Sequence, residues 1–160
     1  MDTTTHTHWY EDVVLPALLR HARTAYGLHM RDALAKAGYD DLPRNGMYVI
    51  GGLALGHGDV PLSELIRQMR ISKQAAGQLV DTLVLRGYLE REVDSTDRRR
   101  LNVRLTARGQ AAAEAQQGAR RQVDELLQQA VGEEAVQTTR RTLAALYDIG
   151  RQFEDSNAED

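Results

Sequence analysis

The chain has 160 residues, of which 42% are apolar, 5% aromatic and 27% charged, and its net charge is −3. That is enough chain for one domain with a workable core, and no apolar run approaches the ~18 residues that span a membrane. It contains no cysteine, which excludes disulfides, thiolate metal sites and cysteine redox switching.

The first residues, MDTTTHTHWYED, have neither the basic region nor the apolar stretch of a signal peptide, so a cytoplasmic protein is expected. A helical segment is predicted from Trp9 to Lys36, with Val14, Leu18, Ala22, Tyr26, Met30 and Leu34 as its apolar stripe. Pro16 places a kink or boundary near Leu15, and Gly38 ends the helix. The next helix, Pro43 to Leu55, holds Gly46, Gly51 and Gly52, each costing roughly 0.5–1 kcal/mol against alanine. Such glycines let neighbouring helices pack closely, the favoured reading, or leave space for a small ligand.

The stretch from Pro61 to Gly109 organises the rest. A first short helix is expected over Ser63–Met69, with Leu62, Leu65, Ile66 and Met69 facing inward. Arg70-Ile71-Ser72 interrupts the pattern, and Ser72 can cap a second helix from Lys73 to Arg86. Ala76, Leu79, Val80 and Leu83 form its inner stripe, and Gly87 stands where a left-handed residue ends a helix. The opposite face carries Lys73, Gln74, Gly77, Gln78, Asp81 and Thr82. Glutamine offers an acceptor and two donors, which suits adenine in a major groove, although the same face also reads as simply solvated. Two alternating runs, Leu89–Val93 and Leu101–Leu105, predict an antiparallel pair. The loop between them ends in Arg98, Arg99 and Arg100 beside Asp97. Crowded arginines at a hairpin tip repel unless phosphates or a narrow minor groove relieve them.

Charge is segregated along the chain. Pro61–Arg108 holds ten basic and six acidic residues, net +4, whereas the remainder is −7. A basic module in an acidic chain focuses DNA onto one face.

The run SKQAAGQLVDTLVLRGYL, then DSTDRR, then LTARG resembles the multiple-antibiotic-resistance-regulator (MarR) family of dimeric winged-helix transcription factors. The resemblance is strongest over residues 61–109 and elsewhere rests on helix order and length. It implies a mainly α fold with a small antiparallel β-wing: a winged helix-turn-helix flanked by N- and C-terminal dimerisation helices. It also implies DNA contacts from Ser72, Lys73, Gln74 and Gln78, and a minor-groove role for Arg99 with Asp97 as its partner. Arg98 and Arg100 are additional, so the choice of groove arginine stays open. Thr106 and Gly109 match the family's opening of the following long helix. Peroxide-sensing members that depend on a cysteine are no guide to a chain without one.

That long helix is expected from Thr106 to about Ala130, lined by Ala111, Ala115, Gly118, Val123 and Leu126, and broken at Val131–Glu134. A final helix from Glu133 to Phe153 precedes a loose acidic tail. The whole is expected to be one domain, 1–160, with helices over 9–55, the winged helix at 61–109, and dimerisation segments at 1–36 and 110–155. Apolar stripes on the terminal helices lack partners in a monomer, so a two-fold homodimer is expected through Trp9, Val13, Leu143, Leu146, Ile149 and Phe153; the other reading closes them on the monomer's own core. The resemblance further implies a small effector, aromatic or phenolic, near Arg20, His21, Tyr26, Met30, Met47 and Tyr48, residues that read equally well as ordinary helical core.

No cofactor is called for. His6 and His8 form an H-x-H pair in the N-terminal tail, while His21 and His29 lie two turns apart, too far to share an ion alone. No hydrolase, metalloprotease or phosphate-loop signature occurs, so no enzyme is expected. The expected function is a repressor of transcription on a pseudo-palindromic site. The alternative is a winged helix that meets proteins instead of DNA, with the wing arginines on an acidic protein surface.

Overall fold

The computed structural model describes residues 8–55, 67, 69, 71–93 and 101–158. Five helices and one hairpin are defined among them: α1 (Leu15–Lys36), α2 (Gly46–Leu55), α3 (Lys73–Leu85), β1 (Leu89–Val93), β2 (Leu101–Leu105), α4 (Ala107–Val131) and α5 (Glu133–Ala158). The expected first helix of the helix-turn-helix falls mostly outside the described residues, although Arg67 and Met69 are helical. The chain divides into two compact units, 1–120 and 121–160.

In the first unit, α1 begins at the boundary that Pro16 imposes, with the proline in the first turn, where its missing N–H costs nothing. Residues 9–14 are turns rather than helix. The C-terminal end of α1 is closed by Gly38 at φ +82. Gly38 N–H donates to the Ala35 carbonyl at 3.1 Å and Tyr39 N–H to the Leu34 carbonyl at 2.8 Å, the paired bonds of a Schellman end. Helix α2 starts three residues later than expected, at Gly46. It is apolar on nearly every side and buries Met47, Val49, Ile50 and Leu53, as a helix at the centre of a core must.

Two of its glycines mark close approaches. A Cβ on Gly46 would stand 2.8 Å from Leu83 Cδ2, and one on Gly51 would stand 2.3 Å from Gln116 Nε2. The favoured close packing therefore holds at both positions. Gly51 also borders a cleft, so the two readings coexist there.

Helix α3 buries Ala76, Val80 and Leu83 and ends in a second Schellman motif. Gly87 sits at φ +73, its N–H donates to the Val84 carbonyl at 3.0 Å, and Tyr88 N–H donates to the Leu83 carbonyl at 2.9 Å. The strands pair antiparallel in the register Leu89↔Leu105, Arg91↔Val103, Val93↔Leu101. Glu90 faces Arg104 across the ladder with a 2.8 Å ion pair.

Helix α4 is capped by Thr106, whose Oγ1 accepts from Gly109 N–H at 3.0 Å. The buried side of α4 is shifted from the expected one: Gly109, Ala112, Ala113, Gln116 and Ala119 are buried, while Ala115 is half-buried against the core and Ala111 and Gly118 are half-buried at its flanks. Gly109 sets this phase. A Cβ there would lie 2.0 Å from the Tyr88 carbonyl oxygen, so only glycine lets the first turn of α4 touch the backbone just before β1, and the roll of the helix follows from that contact. The shared core comprises Leu34, Val49, Ile50, Leu83, Tyr88, Leu89, Val103 and their neighbours.

The second unit contains the end of α4, a break at Gly132 (φ +83) and α5. Helix α5 continues to Ala158, through most of the tail expected to be loose. No helix among the described residues is long and apolar enough to cross a membrane.

Candidate nucleic-acid interface

Helix α3 presents its outer face as the sequence spacing predicts. Ser72 Oγ accepts from Ala75 N–H at 3.1 Å, which fixes the first turn and orients its free backbone N–H groups outward. Lys73, Gln74, Ala75, Gly77 and Gln78 are exposed around that turn. Gly77 is informative because, among the described residues, nothing lies within 4 Å of where its Cβ would be. Those residues make no demand for glycine there, and helix propensity disfavours it. The bare backbone leaves room at the surface for something outside the chain.

Farther along the face, Asp81 forms an ion pair with Arg91 of β1. This pair ties the helix to the root of the wing and neutralises a carboxylate that would otherwise repel phosphate. The tip of the wing, with Asp97, Arg98, Arg99 and Arg100, lies outside the described residues.

The C-terminal end of α3 is gripped from three sides. Arg86 donates to the Asp41 backbone carbonyl. The Tyr88 hydroxyl donates to Asp41 Oδ1, and Arg108 Nη2 donates to the same oxygen at 2.9 Å and to the Tyr88 hydroxyl at 3.2 Å. The Arg108 guanidinium carbon lies 4.7 Å from the Tyr88 ring centroid and 5.8 Å from that of Tyr39. The two rings meet edge to face at 6.2 Å. The hydroxyl of Tyr88 and the nearby guanidinium groups hold the Asp41 carboxyl below its usual value. Burial, then the Asp41 carboxylate, push the Tyr88 hydroxyl up.

Above α2 lies an open cleft of about 660 Å³, lined by Arg23, Met30, Asn45, Met47, Tyr48, Leu55, Met69, Gln116 and Arg120, among others. Arg23 Nε donates to the Tyr48 hydroxyl at 3.3 Å, and its guanidinium carbon sits 4.9 Å from that ring's centroid. Gln116 is 6% exposed. Its Nε2 donates to the Met47 carbonyl at 3.0 Å, while Oε1 has no hydrogen-bond partner among the described residues. A buried acceptor without a donor costs about 1–3 kcal/mol, so this atom calls for a donor from water or a ligand.

Comparison with known proteins places this geometry. Residues 40–100 match the MarR family model. Over that stretch the chain is similar to the MarR family. Among solved structures of similar fold, Streptococcus pneumoniae FabT in complex with DNA is 18% identical, with 87% of this chain and 96% of that one covered at a TM-score of 0.73. S. aureus MepR in its DNA-binding conformation is also 18% identical, covering 84% and 97% at 0.70. NadR in complex with 4-hydroxyphenylacetate is 23% identical, covering 91% and 97% at 0.67. No curated protein sequence matches the chain.

The residues expected from sequence divide in instructive ways on this fold. Ser72, Lys73, Gln74 and Gln78 share the outer face of α3. Met30, Met47 and Tyr48 line the cleft, but Arg20, His21 and Tyr26 do not; the cationic lining comes from Arg23 and Arg120 instead. Gln116 was not anticipated, because a glutamine in a polar-looking helix gives no sign of being buried until the phase of α4 is known. Trp9, Leu143, Leu146, Ile149 and Phe153 are exposed, with Phe153 at 72%, and Val13 is half-buried. Among the described residues there is no cluster of three or more side chains able to hold a metal.

Proposed function

We propose that this chain is a DNA-binding regulator of transcription of the MarR family. In this reading it acts as a homodimeric repressor on a pseudo-palindromic operator and is released by a small aromatic or phenolic ligand. The observation that carries the DNA-binding reading is the outer face of α3: a serine-capped first turn, exposed Lys73, Gln74 and Gln78, and a glycine the described residues do not need. Two such helices about one DNA turn, ~34 Å, apart would read the two half-sites. Asp97, Arg98, Arg99 and Arg100 extend the contact to the backbone and minor groove.

Release by a ligand is supported by the cleft on α2. Its arginines suit an anionic head, its methionines and Tyr48 suit a ring, and Gln116 Oε1 suits a hydroxyl or amide donor. The bound 4-hydroxyphenylacetate of NadR belongs to that protein; its presence in a structure of similar fold supports a ligand of this kind.

The test is binding of the purified protein to its own upstream intergenic DNA, titrated across salt. The expected result is a tight complex whose log K falls linearly with log salt. Arg98→Ala, Arg99→Ala and Arg100→Ala should each weaken it and lower the slope by about one where that side chain meets a phosphate. Unchanged affinity and slope in all three would sink the wing assignment. A folded dimer that selects no DNA from the genome would point to a protein partner instead.

A further inference from the structure

Tyr39 and Tyr88 hold equivalent places in the chain. Each is the second residue beyond a Schellman helix end, one after α1 and one after α3, and each follows a glycine at positive φ. The two helix ends are docked through these rings. Arg108, from the first turn of α4, covers both, and Asp41 binds the assembly together: its carboxylate takes Tyr88 and Arg108, and its carbonyl takes Arg86, the C-cap residue of α3. Three segments distant in sequence, around Tyr39, Arg86–Tyr88 and Arg108, meet at one residue in the short connection between α1 and α2.

We infer that Asp41 is a positioning residue for DNA recognition: through Arg86, Tyr88 and Arg108 it fixes the pose of α3 against α1 and the wing root, and so the register of Gln74 and Gln78 on base edges. This rests on the DNA-binding reading above. The physical basis is leverage. A helix held at its C-terminal end pivots there, and its groove-facing residues lie two to three turns away, where a small rotation displaces them most. Base hydrogen bonds require tight geometry, whereas phosphate attraction tolerates a shift. Loosening this grip therefore lowers specific binding more than non-specific binding. Helix α1 also carries Arg23 and Met30 on the cleft, so a change there reaches α3 through this junction as well as through the core.

The experiment compares wild type, Asp41→Asn, Tyr88→Phe and the double variant, all verified as folded at the assay temperature. Each is titrated against operator DNA and an unrelated duplex of equal length. Asp41→Asn keeps the backbone carbonyl for Arg86, and Tyr88→Phe keeps the ring on Tyr39, so neither opens the core. The expected result is a fall in operator affinity of about three- to thirtyfold, with affinity and salt slope for the unrelated duplex retained. The double variant should lose little more than the single ones, because both changes act on one shared bond, the first by removing its charge and the second its donor. Equal losses on both DNAs, or lowered melting temperature with operator affinity intact, would overturn the inference. Should the wild type bind no DNA, the reading beneath it fails, and amide exchange on the full chain decides positioning by itself: faster exchange at Val84–Tyr88 in the variants supports it, and unchanged protection there overturns it.

Discussion

A methyl group at Gly109 would stand 2.0 Å from the Tyr88 carbonyl oxygen, a backbone atom with no rotamer to move it aside. A methyl group at Gly77 would meet nothing within 4 Å among the described residues. The two glycines look alike in sequence, each a small residue in an apolar-periodic helix, yet opposite effects are expected. Gly109→Ala should destabilise the protein by about 1–3 kcal/mol through overpacking, seen as a lower urea midpoint with an unchanged m-value. Gly77→Ala should stabilise it by about 0.5–1 kcal/mol through helix propensity while weakening operator binding, because the methyl stands where DNA is proposed to approach. If Gly77→Ala gained stability and kept full operator affinity, close approach at that position would be wrong. Periodicity marked both positions as helical, but only the distance to the next segment separates them, and that distance is a property of the fold.

At the scale of elements, the ends of the helices were more legible than their faces. Ser72, Gly38, Gly87 and Gly132 mark boundaries through local backbone chemistry, which needs no knowledge of the rest of the chain. The phase of α4 did not follow from its own residues. Alanine and glutamine alternate so evenly along it that neighbouring stripes have similar apolar content, and contact with Tyr88 and α2 chooses between them. The junction of Asp41, Tyr88 and Arg108 was invisible for the same reason, since its members lie up to 67 positions apart. It should nevertheless show in the pH dependence of stability. Asp41 has a folded pKa below its ordinary value of 3.8, so its contribution is present above that value and is lost as pH falls through the folded pKa. Tyr88 has a folded pKa above its ordinary value of 10.0, so its contribution holds below that value and is lost as pH rises through the folded pKa. Thermal unfolding of wild type against Asp41→Asn should differ at neutral pH and converge in acid, and the gap to Tyr88→Phe should close in strong alkali. Parallel curves across the whole range would show that neither ionisation is linked to folding.

At the scale of the whole molecule, the unsolved part of the single chain is α5. Leu143, Leu146, Tyr147, Ile149 and Phe153 lie on one 26-residue helix, all exposed, with Ile149 at 62% and Phe153 at 72%. Most of them fall at spacings of three or four, so they share a side of the helix. Water against such a face is costly, at roughly 25 cal/mol per Å² of apolar surface, and a polar, solvated helix would not carry it. The sequence made this legible as a surplus of apolar stripe. A second copy satisfies it by symmetry, since a two-fold axis sets the same patch against itself. Ile149→Asp with Phe153→Asp should therefore shift the protein to monomer in sedimentation equilibrium at micromolar concentration. Helicity and the core of residues 1–120 should survive, because α5 contributes no buried residue to it. Operator binding should then fall steeply, since one recognition helix reads only half a site and the free energies of the two half-sites no longer add within one complex. A double variant that stayed dimeric and bound DNA at full strength would mean that the apolar face of α5 serves another partner and that the two-fold axis lies elsewhere.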